Sequence, residues 1–113
     1  MAFDREGAEA EAIPHYEHAI AAGLSGELLA KAMLGLGSSL RNVARTEESV
    51  RVLEDACRRF PEHQAMPVFL AFSLWTAGRR GEALALLAER AGEGSGYERA
   101  IREYAGEIRA EGG

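Results

Sequence analysis

The chain has 113 residues, of which 47% are hydrophobic and 27% are charged, values typical of one globular domain. Its net charge of −5 disfavours nucleic-acid binding, which normally needs a basic surface. No apolar run approaches the roughly 20 residues of a membrane span, and the N-terminus lacks a signal-peptide pattern. We therefore expect a cytoplasmic protein that binds neither nucleic acid nor membrane. The single cysteine, Cys57, excludes an internal disulfide framework and a cysteine-based metal site.

The first predicted element is a helix that ends before the glycine-containing connection at 23–26. Ala12, Tyr16 and Ala19 have the spacing of one helix face. Pro14 lies inside this helix, and we expect a kink there because proline lacks the backbone N–H that the helix needs.

The middle of the chain predicts two helices joined by a short turn. Apolar residues recur at helical spacing across Leu28–Val43, and the turn Ala44–Thr46 follows. Thr46 is the predicted N-cap of the next helix, since the two glutamates after it suit the positive end of the helix dipole. Pro61 ends that helix, whose apolar face comprises Val50, Leu53, Ala56, Cys57 and Phe60.

Three more helices complete the predicted elements. The helix Gln64–Ala77 is stopped by Gly78, which adopts the left-handed conformation easily, and the helix Glu82–Ala91 follows. The preceding turn has Ala44 at the place of Gly78, so we expect mild strain there. The last helix, about Tyr97–Ala110, is amphipathic, with an inward face of Tyr97, Ile101, Tyr104, Ala105 and Ile108.

The strongest feature of the sequence is a repeat of 34 residues, which pairs Leu36 with Leu70 and then with Tyr104. Small residues recur at the same offset, at one position as Gly37, Ala71 and Ala105 and at another as Ser49 and Ala83. Since two helices approach closely only where side chains are small, these positions predict helix crossings. The space around the crossings is expected to be filled by Leu36, Leu40, Leu53, Leu70, Leu74 and Leu87.

These residues resemble the tetratricopeptide repeat, a helix–turn–helix unit of about 34 residues. The large-small-large pattern of that family matches Met33, Leu36, Gly37, Leu40, Ser49, Leu53, Ala56 and Pro61, and again Leu70, Ala71, Leu74, Ala83 and Leu87. Pro67 and Arg90 depart from it, where an aromatic residue and an alanine are usual. The segments 23–26, 38–42 and 97–101 also resemble a small bacterial subfamily.

The resemblance implies an all-α fold, an α-solenoid of antiparallel helix pairs with about six helices in one domain over 1–113. The implied units are a partial first repeat at 1–23, a second repeat at 27–61, a third at 63–92 and a C-terminal capping helix at 96–110. In this division Gly7 occupies a turn and Phe3 lies in the remainder of the first unit's first helix. Three extra residues in the connection 23–26 explain why Tyr16 precedes Leu53 by 37 rather than 34 residues.

No pattern in the sequence indicates an enzyme. It contains no glycine-rich phosphate loop, no paired acid and base, and no nucleophile motif. Cys57 lies on an apolar helix face, which predicts a structural thiol. Glu11, His15 and His18 are three potential metal ligands on one side of a helix, but this spacing is common by chance. We predict no metal site and no cofactor.

The helix Gln64–Ala77 is apolar on two faces, and the repeat assigns only one of them to the core. A helix that is apolar all round must be covered on both sides. Because the first helices of the units line a concave groove in the resembling family, the resemblance places Val68, Phe72 and Trp75 on its floor. Neighbouring units would supply Lys31, Leu34, Ser38, Arg41 and Asn42 on one side, and Arg99, Arg102 and Arg109 on the other.

The sequence leaves three coverings open for this second stripe: other helices of the same chain, a second copy of the chain, or a partner peptide. The predicted function is a protein–protein interaction scaffold that binds a peptide or partner protein in the groove. Arg41, Asn42 and Arg102 would recognise acidic or carbonyl groups, and an acidic peptide with apolar anchors suits the groove. The alternative is a homodimer formed through the same surface, or through the incomplete first repeat with Phe3 and Tyr16.

Overall fold

The structure, a computed structural model, describes residues 5–112 and contains there six helices and no strand. The helices are α1 (Arg5–Ala21), α2 (Gly26–Asn42), α3 (Thr46–Arg59), α4 (Ala65–Thr76), α5 (Arg80–Ala91) and α6 (Glu98–Ala110). The predicted all-α fold is confirmed. The expected position of Phe3 lies outside the described residues.

Each helix packs on the next one along the chain, and α2 packs on α4 as well. Only residues 43–45 separate α2 from α3, and only residues 77–79 separate α4 from α5, so each pair folds back on itself as a hairpin. Because α4 lies against both helices of the preceding hairpin, the two hairpins stack in the manner of a helical repeat array.

The turns of the two hairpins have the same backbone geometry. Gly78 has φ 82°, and Ala44, at the equivalent position, has φ 68°. In both turns the backbone N–H of the following arginine donates to a leucine carbonyl five residues earlier, from Arg45 to Leu40 and from Arg79 to Leu74, each at 2.8 Å. The expected left-handed stop at Gly78 and the expected strain at Ala44 are confirmed.

The predicted N-cap at Thr46 is wrong. Helix α3 already begins at Thr46, and Arg45 is its N-cap residue, without a capping side-chain hydrogen bond. Arg45 instead pairs with the Glu48 carboxylate at 2.7 Å. The hairpin turn is so short that the helix starts one residue earlier than the threonine pattern suggests.

The core is centred on the crossing of α2, α3 and α4. A Cβ atom added at Gly37 would lie 2.5 Å from Leu53 Cγ, so the small residue lets α2 and α3 approach. The buried Ser49 hydroxyl donates to the Gly37 carbonyl at 2.6 Å. The Ser73 hydroxyl of α4 lies 2.7 Å from Ser49 Oγ and must therefore be the donor, because a serine hydroxyl has one hydrogen.

The N-terminal helix differs from its expected division. Gly7 lies within α1, which is one continuous helix through Pro14, so the expected turn at Gly7 is wrong. Tyr16 of α1 occupies the space that a side chain at Gly35 of α2 would need. This contact, together with the buried Ile13, packs α1 against α2.

The C-terminal helix does not continue the repeat. Within the described residues α6 packs on α5 alone and makes no contact with α4. Ile101 fills the space beside Gly92, and Ala105 is buried, but against the preceding helix rather than a following one. Ala105 is therefore not equivalent to Gly37 in its contacts. The expectation that Tyr97 and Tyr104 face inward is wrong, because both are exposed.

Candidate interaction surface

Helix α4 is buried on one face and open on the other. Met66, Leu70, Ser73 and Leu74 are buried in the core, whereas Phe72 and Trp75 are 46% and 55% exposed. Of the three coverings that the sequence leaves open, packing within the described part of the chain is thus excluded for these two side chains. The physical reason is the position of α6, which lies against α5 and leaves this side of α4 uncovered.

Helix α5 extends the same open surface. Leu84 is 56% exposed and Leu87 is 36% exposed, which corrects the prediction that Leu87 belongs to the core. A concavity of about 380 Å³ lies between the two helices, lined by Ala71, Phe72, Trp75, Ala83, Leu84 and Leu87. We call the exposed side chains Val68, Phe72, Trp75, Leu84 and Leu87 the apolar face.

The equivalent surface of the preceding hairpin is fully covered. Leu84 and Leu87 follow Val50 and Leu53 by 34 residues, and those two side chains are 1% and 0% exposed. They are covered because α4 packs on α3. The hairpin α4–α5 therefore exposes the surface that the hairpin α2–α3 buries.

Two guanidinium groups lie against the aromatic rings of the apolar face. The Arg80 guanidinium is 4.4 Å from the centre of the Trp75 ring, and that of Arg41 is 5.8 Å from the Phe72 ring. Arg41 Nε also donates to Thr76 Oγ1 at 3.1 Å. Among the described residues no carboxylate lies within 4.0 Å of either group. Both are therefore placed to meet acidic groups from outside the described chain.

The carboxylates nearby are already paired. A hydrogen bond from Arg79 lowers the pKa of Glu82, and one from Arg109 lowers the pKa of Glu89. Both carboxylates are thus charged at neutral pH and held by arginines of the same chain. They do not compensate Arg41 or Arg80.

The predicted residues of α2 have different surroundings. Leu34 is partly buried against the core cluster, and Ser38 is half-buried. Asn42 Nδ2 donates to Glu9 Oε2 of α1 at 3.0 Å, which occupies part of its hydrogen-bonding capacity. Only Arg41 among the predicted α2 residues contacts the apolar face directly.

The expectation that Arg99 and Arg102 flank the same surface is wrong. Arg99 pairs with Glu103 of its own helix at 3.5 Å. Arg102 lines a separate cleft with Glu89 and Glu98, and Arg109 donates to both carboxylate oxygens of Glu89, at 3.0 and 2.6 Å. The three arginines stand on α6, which does not reach α4.

Sequence reasoning missed Leu84 and Arg80. The signal that was available is the run 83–88, which is entirely apolar and gives α5 two apolar faces like α4. Arg80 lies one helical turn before Leu84, so its proximity to this face was also readable. Its stacking on Trp75 was not, because the partner lies on another helix.

The described residues carry no other obvious chemical site. No three histidine, cysteine, aspartate or glutamate side chains among residues 5–112 lie together as metal ligands would. None of the helices in that range has the length and apolar content to cross a membrane. Cys57 is partly buried, and this burial raises the pKa of its thiol, which reduces its nucleophilic fraction.

Stacked helical hairpins with small residues at their crossings define a helical-repeat protein. A family model described as tetratrico peptide repeat matches residues 1–108, and the chain belongs to this family. A comparison with curated proteins finds no match. Members of the family generally mediate protein–protein interactions and typically act as scaffolds without catalysis.

Proposed function

We propose that this chain is a protein-interaction module that binds a partner polypeptide through the apolar face. The observation that carries the proposal is the exposure of five large apolar side chains on one surface of α4 and α5. Contiguous exposed apolar surface in a folded protein commonly marks an interaction site. The general role of the family supports the same conclusion.

The residues of this surface divide into anchors and rim. Trp75, Phe72 and Leu84 are the anchors, because large apolar and aromatic side chains at the centre of an interface contribute most of the binding free energy. Arg41 and Arg80 form the cationic rim, where they select acidic groups and accelerate association. An acidic segment with apolar anchors fits this combination.

A second copy of the chain is the alternative occupant. Two apolar faces placed against each other would bring the Arg41 and Arg80 pairs of both copies to one interface. No described carboxylate lies beside these arginines to compensate them, and like charges at an interface weaken binding. We therefore favour a different polypeptide as the partner.

The proposal is tested by crosslinking and affinity capture from the native cell with the full chain and with Trp75→Ala. The control is Leu28→Ala, which shortens another exposed leucine. That residue stands in the first turn of α2, whereas Arg41, which reaches Phe72, stands in the last turn. We expect one partner to be lost with Trp75→Ala and retained with Leu28→Ala, while circular dichroism shows unchanged helix content in both.

Sedimentation and fluorescence of the isolated chain complete the test. We expect a monomer at micromolar concentration, with Trp75 emission at long wavelength and open to a soluble quencher. A dimer in which Trp75 is protected would overturn the proposal in favour of self-association. Capture that is equally strong with Trp75→Ala would show that the partner binds elsewhere.

A further inference from the structure

We infer that the partner segment is a single amphipathic, acidic α-helix of another protein, which stacks on α4–α5 as α4 stacks on α2–α3. This inference rests on the proposed function and specifies the occupant of the same surface. It follows from comparing the covered hairpin with the open one, position by position.

The covered hairpin shows what the surface accepts. Helix α4 places Met66, Leu70 and Leu74, spaced four residues apart, in one buried cluster with Val50 and Leu53 of α3. The open hairpin carries Leu84 and Leu87 at the positions of Val50 and Leu53. Leucine at both places offers an apolar surface of the same kind. A helix with apolar residues at i, i+4 and i+8 therefore matches it.

The polar contact of the covered junction has no counterpart at the open one. Ser49 and Ser73 join α3 to α4 through their hydroxyls at 2.7 Å, but Ala83 stands at the position of Ser49 in α5. A hydroxyl facing Ala83 would be buried without a partner, at a cost in free energy. The incoming helix should have a small apolar residue at that place.

The chain's own last helix is unsuited to this position. A continued repeat would place Glu107 where Ser73 is completely buried, with Ala83 opposite. A carboxylate buried there without a hydrogen-bond partner is strongly unfavourable. Helix α6 instead packs on another side of α5, through Ile101 and Arg109. A second copy's α6 has the same Glu107, so it is no better an occupant.

The charge of the occupant is indicated by Arg80. Its guanidinium lies over the Trp75 ring at 4.4 Å at the edge of the concavity, and among the described residues it has no carboxylate within 4.0 Å. The neighbouring Arg79, in contrast, is paired with Glu82. An acidic residue on the incoming helix would complete the ion pair that Arg80 lacks.

The test uses the full chain and two designed peptides of about 17 residues, long enough to become helical once docked. Both lack tryptophan and carry Met, Leu and Leu at i, i+4 and i+8, with Ala at i+7. Their outward positions are glutamate in one peptide and lysine in the other. We expect the glutamate peptide to shift Trp75 emission to shorter wavelength in a saturable way and to gain helical dichroism.

The expected affinities separate charge from shape. The glutamate peptide should bind about three- to tenfold more tightly than the lysine peptide at low salt, and the ratio should fall at high salt. Leu84→Gln should weaken binding of the glutamate peptide by at least about tenfold, since a buried leucine contact is lost. The matched variant Leu28→Gln should leave the affinity unchanged.

Several results would overturn the inference. These are the absence of any Trp75 response to either peptide, equal affinity for both, or a Trp75 signal already protected in a dimer. A native partner that is lost on Trp75→Ala but docks without gaining helix would also reject it, while the proposed function stood. If no native partner depends on Trp75 and neither peptide binds, both proposals fail.

Discussion

Strain in this protein is concentrated in one residue of the α2–α3 turn. Ala44 has φ 68° in a region that disfavours residues with a Cβ atom, while the equivalent turn uses Gly78 at φ 82°. No atom lies within 4 Å of a Cβ added at Gly78, so only backbone conformation distinguishes the two residues there. The two turns thus form a natural pair for measuring this strain.

We predict that Ala44→Gly raises the free energy of unfolding by about 0.5–1 kcal/mol and that Gly78→Ala lowers it by a similar amount. Urea denaturation midpoints at neutral pH measure both changes. Ala77→Gly is the control, because Ala77 has φ −77° and glycine there brings only an entropic loss. Destabilisation by Ala44→Gly would contradict this account of the turn.

A second contrast between single residues separates the buried from the open hairpin. Leu53 and Leu87 occupy equivalent repeat positions, yet Leu53 is wholly buried beside Gly37 and Leu87 is exposed. We predict that Leu53→Ala costs about 2–5 kcal/mol of stability and Leu87→Ala less than about 1 kcal/mol. Chemical denaturation of both variants checks this, and equal costs would show that Leu87 is covered in solution.

At the scale of elements, two helices are apolar on two faces for different reasons. Helix α4 joins α2 and α3 through its buried face and offers Phe72 and Trp75 on the other. Helix α5 contacts α4 on one side and α6 on a second, and a third side remains open with Leu84 and Leu87. The apolar face forms where the two open sides meet.

The contact between α5 and α6 includes an ion pair with a defined pH dependence. The hydrogen bond from Arg109 lowers the pKa of Glu89 in the folded chain. A lowered folded pKa stabilises the fold fully above the ordinary glutamate pKa, and this contribution is lost as the pH falls through the folded value. Because both side chains are partly solvent-exposed, the contribution is about 0.5 kcal/mol.

We predict that Glu89→Gln lowers stability by about 0.5 kcal/mol at pH 7 and that the difference from the parent chain shrinks towards zero below the folded pKa. Urea titrations across acidic to neutral pH measure this change. Glu103→Gln is the control, since its pairing with Arg99 at 3.5 Å is fully on the surface. A difference that stays constant down to acidic pH would reject the ion pair as its source.

For the molecule as a whole, the position of α6 decides whether the chain is closed or open. This helix contacts one neighbour only, while α4 contacts three, so α6 should be the least protected of the described helices. A helix that opens locally loses amide protection without exposing the rest of the core.

We predict that Ile101→Ala lowers hydrogen-exchange protection in α6 and leaves quenching of Trp75 unchanged, because α6 does not contact α4. Exchange mass spectrometry and fluorescence quenching of one sample measure both effects. Met66→Ala is the control, and its loss of a fully buried contact should lower protection throughout α2–α5. An increase in Trp75 quenching with Ile101→Ala would show that α6 shields the apolar face after all.

The amino-acid sequence alone determined the two stacked hairpins. Helical spacing identifies which faces must be buried, and the small residues Gly37, Ser49, Ala71 and Ala83 mark where helices can cross. These are local properties of side-chain size and order, so they can be read before folding. The second apolar stripe with Phe72 and Trp75 was readable for the same reason.

Only the tertiary structure decided what covers that stripe. The repeat spacing treats Tyr104 and Ala105 as continuations of Leu70 and Ala71, but α6 packs elsewhere and takes Arg99 and Arg102 with it. Its position depends on competing contacts across the molecule: Ile101 against Gly92, Arg109 with Glu89, and the cost of burying Glu107. Such a balance is a sum over distant residues, and spacing along the chain does not contain it.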